Sequence, residues 1–231
     1  MELFYDPDFK GEGVLCEPES KHCINVLRHK TGDIITIANG YGSYFKCRIT
    51  EAHHKRCQLT SIETIHHKEP EYKVHLAVAP TKSIDRFEWL IEKAVEMGVQ
   101  EITPLLCAHS ERKKLRIDRV ERIAISAMKQ SLKAYMPIVN DLTSFQDFIN
   151  KVKSSQTYFA HCYDEKKIPL KNAYQLKTDA VLCIGPEGDF SIDEVKLAQK
   201  QGCHMVSLGT SRLRTETAGI AACHTIHLLN E

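Results

Sequence analysis

The sequence predicts an α/β protein with a small N-terminal β domain, residues 1–68, and a larger C-terminal α/β domain, residues 72–231. Two patterns predict this division. Short extended segments dominate the first part of the chain, whereas strands and helices alternate after it, which is typical of a largely parallel sheet covered by helices. Between the two parts, residues 66–71 are polar, include a proline and follow no strand or helix period. We therefore place the linker there.

The N-terminal residues have the strand and turn signals of a compact, barrel-like β domain. A short helix is expected at residues 18–27, before Gly32-Asp33. Further strands are expected at residues 34–37, 44–50 and 57–65. Asn39-Gly40 is typical of a two-residue type I′ hairpin turn, because both central positions of that turn have positive φ.

The C-terminal domain is predicted to alternate strands with helices. Strands are expected at residues 74–79, 101–106, 158–162, 180–184 and 205–208. Helices are expected between Ser83 and Gly98 and at residues 116–134, 145–152, 191–201 and 217–229. The segment 180–184 is apolar throughout, as expected of a parallel strand buried on both faces. Ser191 and Glu194 have the spacing of a capping box at the start of a helix.

Composition excludes several classes of protein. No apolar stretch approaches the roughly 20 residues that span a bilayer, and the first residues lack the features of an export signal. We therefore expect a cytoplasmic protein without membrane segments. The nine cysteines include no C-x-x-C pair, and the His-His pairs at 53–54 and 66–67 have no further ligand at suitable spacing. We accordingly expect reduced thiols and no bound metal.

Two loops of the C-terminal domain are candidate ligand sites, because ligands of α/β sheets bind where strands end. The first, residues 185–189, has the sequence Gly-Pro-Glu-Gly-Asp, which lets the backbone approach a ligand closely. The alternative is a plain glycine-rich connector, which the spacing alone favours. The second, residues 208–216, places polar side chains before an apolar helix. Helix capping, with Thr215 as N-cap, is the alternative there. Arg214 favours a functional role, because a cation at a helix start is unfavourable without an anion nearby.

In this order, the segments G-P-E-G and L-G-x-x-x-L-R-T-E-T-A resemble the signature of the 16S ribosomal RNA uracil-N3 methyltransferases of the SPOUT superfamily. The similarity continues upstream through Lys82, residues 92–99 and Gln130-Ser131. Near the N-terminus, residues 22–33 resemble the PUA-like RNA-binding domain of that family. Asp189, Ser211 and residues 132–133 depart from the family pattern.

The resemblance implies a trefoil knot in the C-terminal domain, a homodimer, and S-adenosylmethionine as the methyl donor. Matching motif positions imply a cofactor pocket lined mostly by backbone groups of Gly185, Glu187, Gly188, Leu208, Gly209, Leu213 and Thr215. The implied substrate is 16S ribosomal RNA, within the small ribosomal subunit.

Chemistry at uridine N3 suggests catalytic roles for residues in these loops. Loss of the N3 proton spreads negative charge over the flanking carbonyl oxygens, which an arginine would stabilise; we assign this role to Arg214. Glu216 or Glu187 would accept the proton. The target must be unpaired or flipped out, because N3 lies on the pairing edge.

The net charge is only +1, so RNA must be held by local basic groups. The candidate RNA-binding residues are Arg28, Arg112, Lys113, Lys114 and Arg116. For the charged run 112–116, an ordinary solvated face is the alternative. A non-catalytic, dimeric RNA-binding module is the alternative function. A small-molecule hydrolase is disfavoured, because the G-x-S-x-G elbow is absent.

Overall fold

The computed structural model describes residues 2–152 and 156–231. Met1 of the predicted β domain and residues 153–155 of the predicted α/β domain lie outside the described residues. The chain forms two compact units. The first contains Met1–Glu69 and Ile125–Met136, and the second contains Pro70–Ala124 and Pro137–Glu231.

A five-stranded sheet is the centre of the first unit. Its strands are β1 (Leu3–Tyr5), β2 (Glu12–Val14), β3 (Ile34–Ala38), β4 (Ser43–Glu51) and β5 (Gln58–His66). Their order in the sheet is β1-β3-β4-β5-β2, with β1 parallel to β3 and the other pairs antiparallel. Along β4, Phe45, Cys47 and Ile49 are buried and alternate with exposed residues, which is the period of a strand with one face on a core.

The predicted helix near the N-terminus is present as α1 (Glu17–Lys21), which continues into a π-helical turn, His22–Val26. The predicted type I′ turn is wrong. Residues 39–42 form a four-residue connection in which Gly40 and Gly42, but not Asn39, have positive φ. The Asn39 carboxamide oxygen instead accepts the backbone N–H groups of Tyr41 and Ser43, an arrangement that a two-residue turn does not allow.

Residues 125–136 pack within the first unit, which the sequence did not indicate. They include the end of α3 (Ile117–Gln130). Lys129 Nζ lies 2.6 Å from Glu19 Oε1 and 5.7 Å from the centre of the Phe4 ring. The helix ends four residues before the predicted position 134, because Leu132 adopts φ 54° and its carbonyl accepts the Tyr44 hydroxyl.

The second unit has an eight-stranded, wholly parallel sheet. Its strands are β6 (Val74–Val78), β7 (Glu101–Leu106), β8 (Ile138–Val139), β9 (Thr143–Ser144), β10 (Thr157–Ala160), β11 (Ile168–Pro169), β12 (Ala180–Ile184) and β13 (His204–Ser207). The strand order is β11-β13-β10-β12-β6-β7-β8, and β9 also pairs with β7. All five residues of β12 are buried, as its apolar sequence predicted.

The remaining helices are α2 (Ile84–Glu96), α4 (Phe145–Lys151), α5 (Leu170–Ala173), α6 (Ile192–Lys200) and α7 (Thr215–Asn230). The capping box is confirmed: the Ser191 hydroxyl accepts the Glu194 N–H, and the Glu194 carboxylate accepts the Ser191 N–H. The fold class is thus as predicted, while the trefoil knot stays a prediction. No helix among the described residues is both long and apolar enough to cross a membrane.

Candidate functional site

The candidate site lies at one edge of the parallel sheet, where the strands end. Because all these strands run in the same direction, their following loops leave the sheet at the same edge. We name these loops by the preceding strand: the β6 loop (79–83), the β7 loop (107–116), the β10 loop (161–167), the β12 loop (185–191) and the β13 loop (208–214).

A buried hydrogen bond connects the β12 loop to the end of the β13 loop. The Thr215 hydroxyl donates to the Gly185 carbonyl oxygen at 3.0 Å, and Thr215 is 4% exposed. The interpretation of Thr215 as the N-cap is wrong, because Arg214 occupies that position and Thr215 is the first residue of α7. The threonine side chain therefore joins the two predicted cofactor loops instead of capping its own helix.

The two glycines of the β12 loop lie in tightly packed surroundings. A Cβ on Gly185 would lie 3.0 Å from Phe190 Cδ2 and 3.2 Å from its backbone nitrogen, and a Cβ on Gly188 would lie 3.0 Å from His109 Cβ. The His109 ring reinforces this packing, since Nδ1 lies 3.0 Å from the Gly188 carbonyl oxygen. Phe190 and His109 thus pack against the backbone of the β12 loop at its two glycine positions.

Asp189, which departs from the family pattern, fits the conformation of this loop. Its φ is 61°, in the left-handed region that glycine adopts freely and aspartate tolerates. The carboxylate accepts the backbone N–H of Cys162 at 2.7 Å and that of Phe190 at 2.8 Å. Aspartate therefore keeps a glycine-like backbone and also ties the β10 loop to the β12 loop.

Glu187 and Arg112 hold the β6 loop. The Glu187 carboxylate accepts the Lys82 N–H at 2.9 Å. The Arg112 guanidinium donates to the carbonyl oxygens of Thr81 and Lys82, at 3.1 and 2.6 Å. Glu187 and Arg112, predicted to bind cofactor and RNA respectively, thus form hydrogen bonds that fix the backbone of the β6 loop.

Basic side chains surround an open cavity beside these contacts. Its volume is about 440 Å³, and it is lined by Lys82, Glu111, Arg112, Lys113 and Lys114. Lys82 Nζ forms an ion pair with Glu111 at 2.8 Å. Hydrogen bonding and attraction to that carboxylate raise the pKa of Lys82, which keeps the ammonium charged.

Glu216 is the buried carboxylate of the site. It is 7% exposed, and its Oε1 lies 3.9 Å from Arg86 Nε. Its other oxygen, Oε2, has no hydrogen-bond partner among residues 2–152 and 156–231. Glu216 also lies in the first turn of α7, where the helix dipole favours a negative charge.

The other predicted site residues are distributed as follows. Arg214 is exposed at the N-cap of α7. Leu208 and Leu213 are half-buried in the β13 loop, and Gly209 has φ 128°. Arg116 pairs with Asp118 at 2.8 Å, whereas Arg28 is exposed in the first unit, with φ 61°. Their roles as binding or catalytic residues stay predictions.

Sequence reasoning missed two histidines at this edge. His109 packs on the β12 loop, and His161 directly follows β10. Burial lowers the pKa of His161, and the nearby Lys167 lowers it further. The position of His161 at the end of a predicted strand was the available signal. Within the described ranges, no three His, Cys, Asp or Glu side chains form a metal-binding group.

Comparison with known proteins identifies the family. The model of the RNA methyltransferase domain matches residues 67–227, and that of the RNA methyltransferase PUA domain matches residues 15–60. Ribosomal RNA small subunit methyltransferase E of Synechocystis is 32% identical over 213 residues, which cover 89% of this chain and 69% of that protein.

Solved structures agree with this result. The probable rRNA-methyltransferase of Porphyromonas gingivalis has a TM-score of 0.92 at 40% identity, covering 100% of this chain and 98% of that one. Ribosomal RNA small subunit methyltransferase E of Neisseria gonorrhoeae, bound to S-adenosyl methionine, has a TM-score of 0.86 at 27% identity, with coverage of 100% and 98%. The chain therefore belongs to the RNA methyltransferase family, and within it to the ribosomal RNA small subunit methyltransferase E group.

Proposed function

We propose that this protein transfers the methyl group of S-adenosylmethionine to N3 of a uridine in 16S ribosomal RNA, acting on the small subunit in the cytoplasm. The observation that carries the proposal is the Thr215–Gly185 hydrogen bond, which joins the two family-signature loops at the ligand-binding edge of a parallel sheet. The relatives' names and the relative bound to S-adenosyl methionine support the reaction and the donor.

The residues present fit this donor. Gly185, Gly188 and Gly209 carry no side chains, so the backbone at these positions can approach a ligand closely. Leu208 and Leu213 are half-buried and supply apolar surface beside them. When bound, S-adenosylmethionine supplies a methyl group on a sulfonium, so the protein needs mainly to position the acceptor.

Arg214 and Glu216 are assigned to the acceptor base. Arg214 is exposed at the start of α7, so its guanidinium is accessible to the negative charge that develops on the uracil oxygens. Glu216 is favoured over Glu187 as the proton acceptor. Its Oε2 has no partner in the described part of the chain, whereas the Glu187 carboxylate already accepts the Lys82 N–H.

We assign four basic side chains to contacts with RNA phosphate groups: Lys113, Lys114, Arg28 and Arg116. The two lysines are exposed and line the basic cavity. Arg112 has a different role, because its guanidinium is occupied by backbone carbonyl oxygens. RNA affinity should therefore depend steeply on salt, since each phosphate contact releases counterions.

We propose that the protein is a homodimer and that α7 forms part of the dimer interface. This helix is rich in alanine, leucine and isoleucine, and the apolar side chain of Leu228 is 57% exposed. Trp89, on the neighbouring α2, is a second large apolar side chain that is 47% exposed. Analytical ultracentrifugation should give twice the chain mass, and a Leu228→Glu variant should sediment as a monomer. A wild-type monomer would remove the dimer from the proposal.

Methyl transfer can be measured directly. Small subunits from cells that lack the protein are incubated with it and with S-adenosylmethionine, and the nucleosides are analysed by mass spectrometry. One 3-methyluridine per 16S molecule is expected, and none with the Arg214→Ala variant. RNA binding without either donor binding or methylation would instead support the non-catalytic module.

A further inference from the structure

His161 lies between the two cofactor loops. The register pairs Ala160 of β10 with Ile184 on one side and with Val206 on the other. The next residue, His161, is therefore level with Gly185, where the β12 loop starts, and with Ser207, which directly precedes the β13 loop.

The His161 ring is buried without hydrogen bonds. The residue is 7% exposed, and neither Nδ1 nor Nε2 has a partner in the part of the chain that the structure describes. The rings of Phe159 and Tyr163 lie 6.1 and 5.8 Å away. Lys167 donates to the His161 backbone oxygen and not to the ring. Buried polar atoms normally form hydrogen bonds, so two ring nitrogen atoms that lack a hydrogen-bond partner indicate contact with a ligand.

Local charges indicate which ligand group the ring prefers. Burial and, to a smaller extent, Lys167 lower the pKa of His161, while Asp189 and Glu165 oppose them. The ring is therefore neutral at pH 7 and offers one N–H donor and one acceptor nitrogen. Hydroxyl groups, which donate and accept, complement such a ring better than a carboxylate or an ammonium group.

We propose that His161 binds the ribose hydroxyls of the adenosine part of the methyl donor. This inference rests on the proposed function. Ribose hydroxyls could come from the donor or from the RNA, but the position of His161 between the donor loops favours the donor. His161 is thus a binding residue that acts on donor affinity.

Isothermal titration calorimetry without RNA tests this assignment. Wild type, His161→Phe and His161→Gln are titrated with S-adenosylhomocysteine and with 5′-methylthioadenosine, which keeps the ribose and lacks the amino-acid chain. Phenylalanine keeps the ring packing without hydrogen bonds, so affinity for both compounds should fall about ten- to thirtyfold. Glutamine restores a donor and an acceptor and should bind within about threefold of wild type.

The matched control is His204→Phe. His204 is exposed at the start of β13, at the opposite end of the strand from the β13 loop, and its ring stacks on Tyr158 at 5.6 Å. This variant should bind both compounds like wild type. Thermal unfolding establishes that each variant is folded, and His161→Leu replaces His161→Phe if the larger ring prevents folding.

Three results would overturn the inference. Unchanged affinity of the phenylalanine variant, together with unchanged kcat in the methylation assay on small subunits, would make His161 a packing residue. Weaker binding of S-adenosylhomocysteine alone would move the contact to the amino-acid chain. Unchanged donor affinity with reduced kcat would move it to the RNA ribose or base. Failure of wild type to bind either compound would instead contradict the proposed function, so the two failures are distinguishable.

Discussion

Replacing Thr215 by valine should loosen the candidate site without changing its shape. Valine has nearly the same volume, so the substitution removes the hydroxyl that donates to the Gly185 carbonyl and little else. Thr215 is 4% exposed, hence water has poor access to the carbonyl that loses its partner. The variant therefore isolates the contribution of one hydrogen bond between the two loops.

The size of the effect follows from the burial of this bond. Leaving a buried acceptor unsatisfied costs about 1–3 kcal/mol. In a domain of this size, each kcal/mol lowers Tm by about 2–4 °C, so the expected decrease is about 2–12 °C. The bond also holds the loops in position before the donor binds. If positioning the loops in the variant costs about 1.4 kcal/mol of the binding free energy, donor binding becomes about tenfold weaker.

Calorimetric titration with S-adenosylmethionine and thermal unfolding measure the two effects. Thr215→Ser should restore both, because serine keeps the hydroxyl. Thr217→Val, at an exposed position of the same helix, is the control and should behave like wild type. If Thr215→Val bound the donor as tightly as wild type, the loop-joining role of this hydrogen bond would be refuted.

Three other predictions concern catalysis, the β12 loop and pH. Arg214→Ala should abolish methyl transfer while leaving donor affinity within a few-fold, as measured by turnover assays and calorimetry; loss of the fold would indicate a structural role. Gly185→Ala should lower donor affinity at least tenfold, because the new Cβ would lie 3.0 Å from the Phe190 ring, and unchanged titration curves would contradict this. Burial lowers the pKa of His75 in the folded state. In the unfolded state the histidine pKa is near 6.5, so as pH falls the unfolded state binds a proton at a higher pH than the folded state does. The stability that His75 contributes is thus complete above about pH 6.5 and is lost as pH falls through the folded-state pKa. Urea unfolding between pH 5 and 8 should show a smaller pH dependence in His75→Gln, and an identical dependence would count against this assignment.

Much of the fold could be predicted because the local signals agree with the tertiary structure. The apolar strand 180–184 and the capping box at Ser191 specify their elements without help from distant residues. Asn39-Gly40 misled the turn prediction, because the asparagine side chain bonds to the backbone of a longer connection. The end of α3 depends on contacts with Glu19 and Tyr44, which no local pattern records.

The candidate site was only partly predictable. Glycine positions and the polar start of α7 could be located from motifs, because they depend on short sequence segments. Thr215 was given the wrong local role, since its partner lies thirty residues earlier in the chain, at Gly185. His161 was missed, because its significance arises from the pairing of β10 between β12 and β13. Asp189 shows the reverse case, in which the structure explains a departure from the family pattern.

A crystal structure of the protein with S-adenosylmethionine tests the central claim most directly. The donor should lie at the carboxyl edge of the parallel sheet, between the β12 and β13 loops, with its adenosine against the backbone near Gly185 and Gly209. Donor density at any other surface, or an unchanged structure without donor at saturating concentration, would contradict the account.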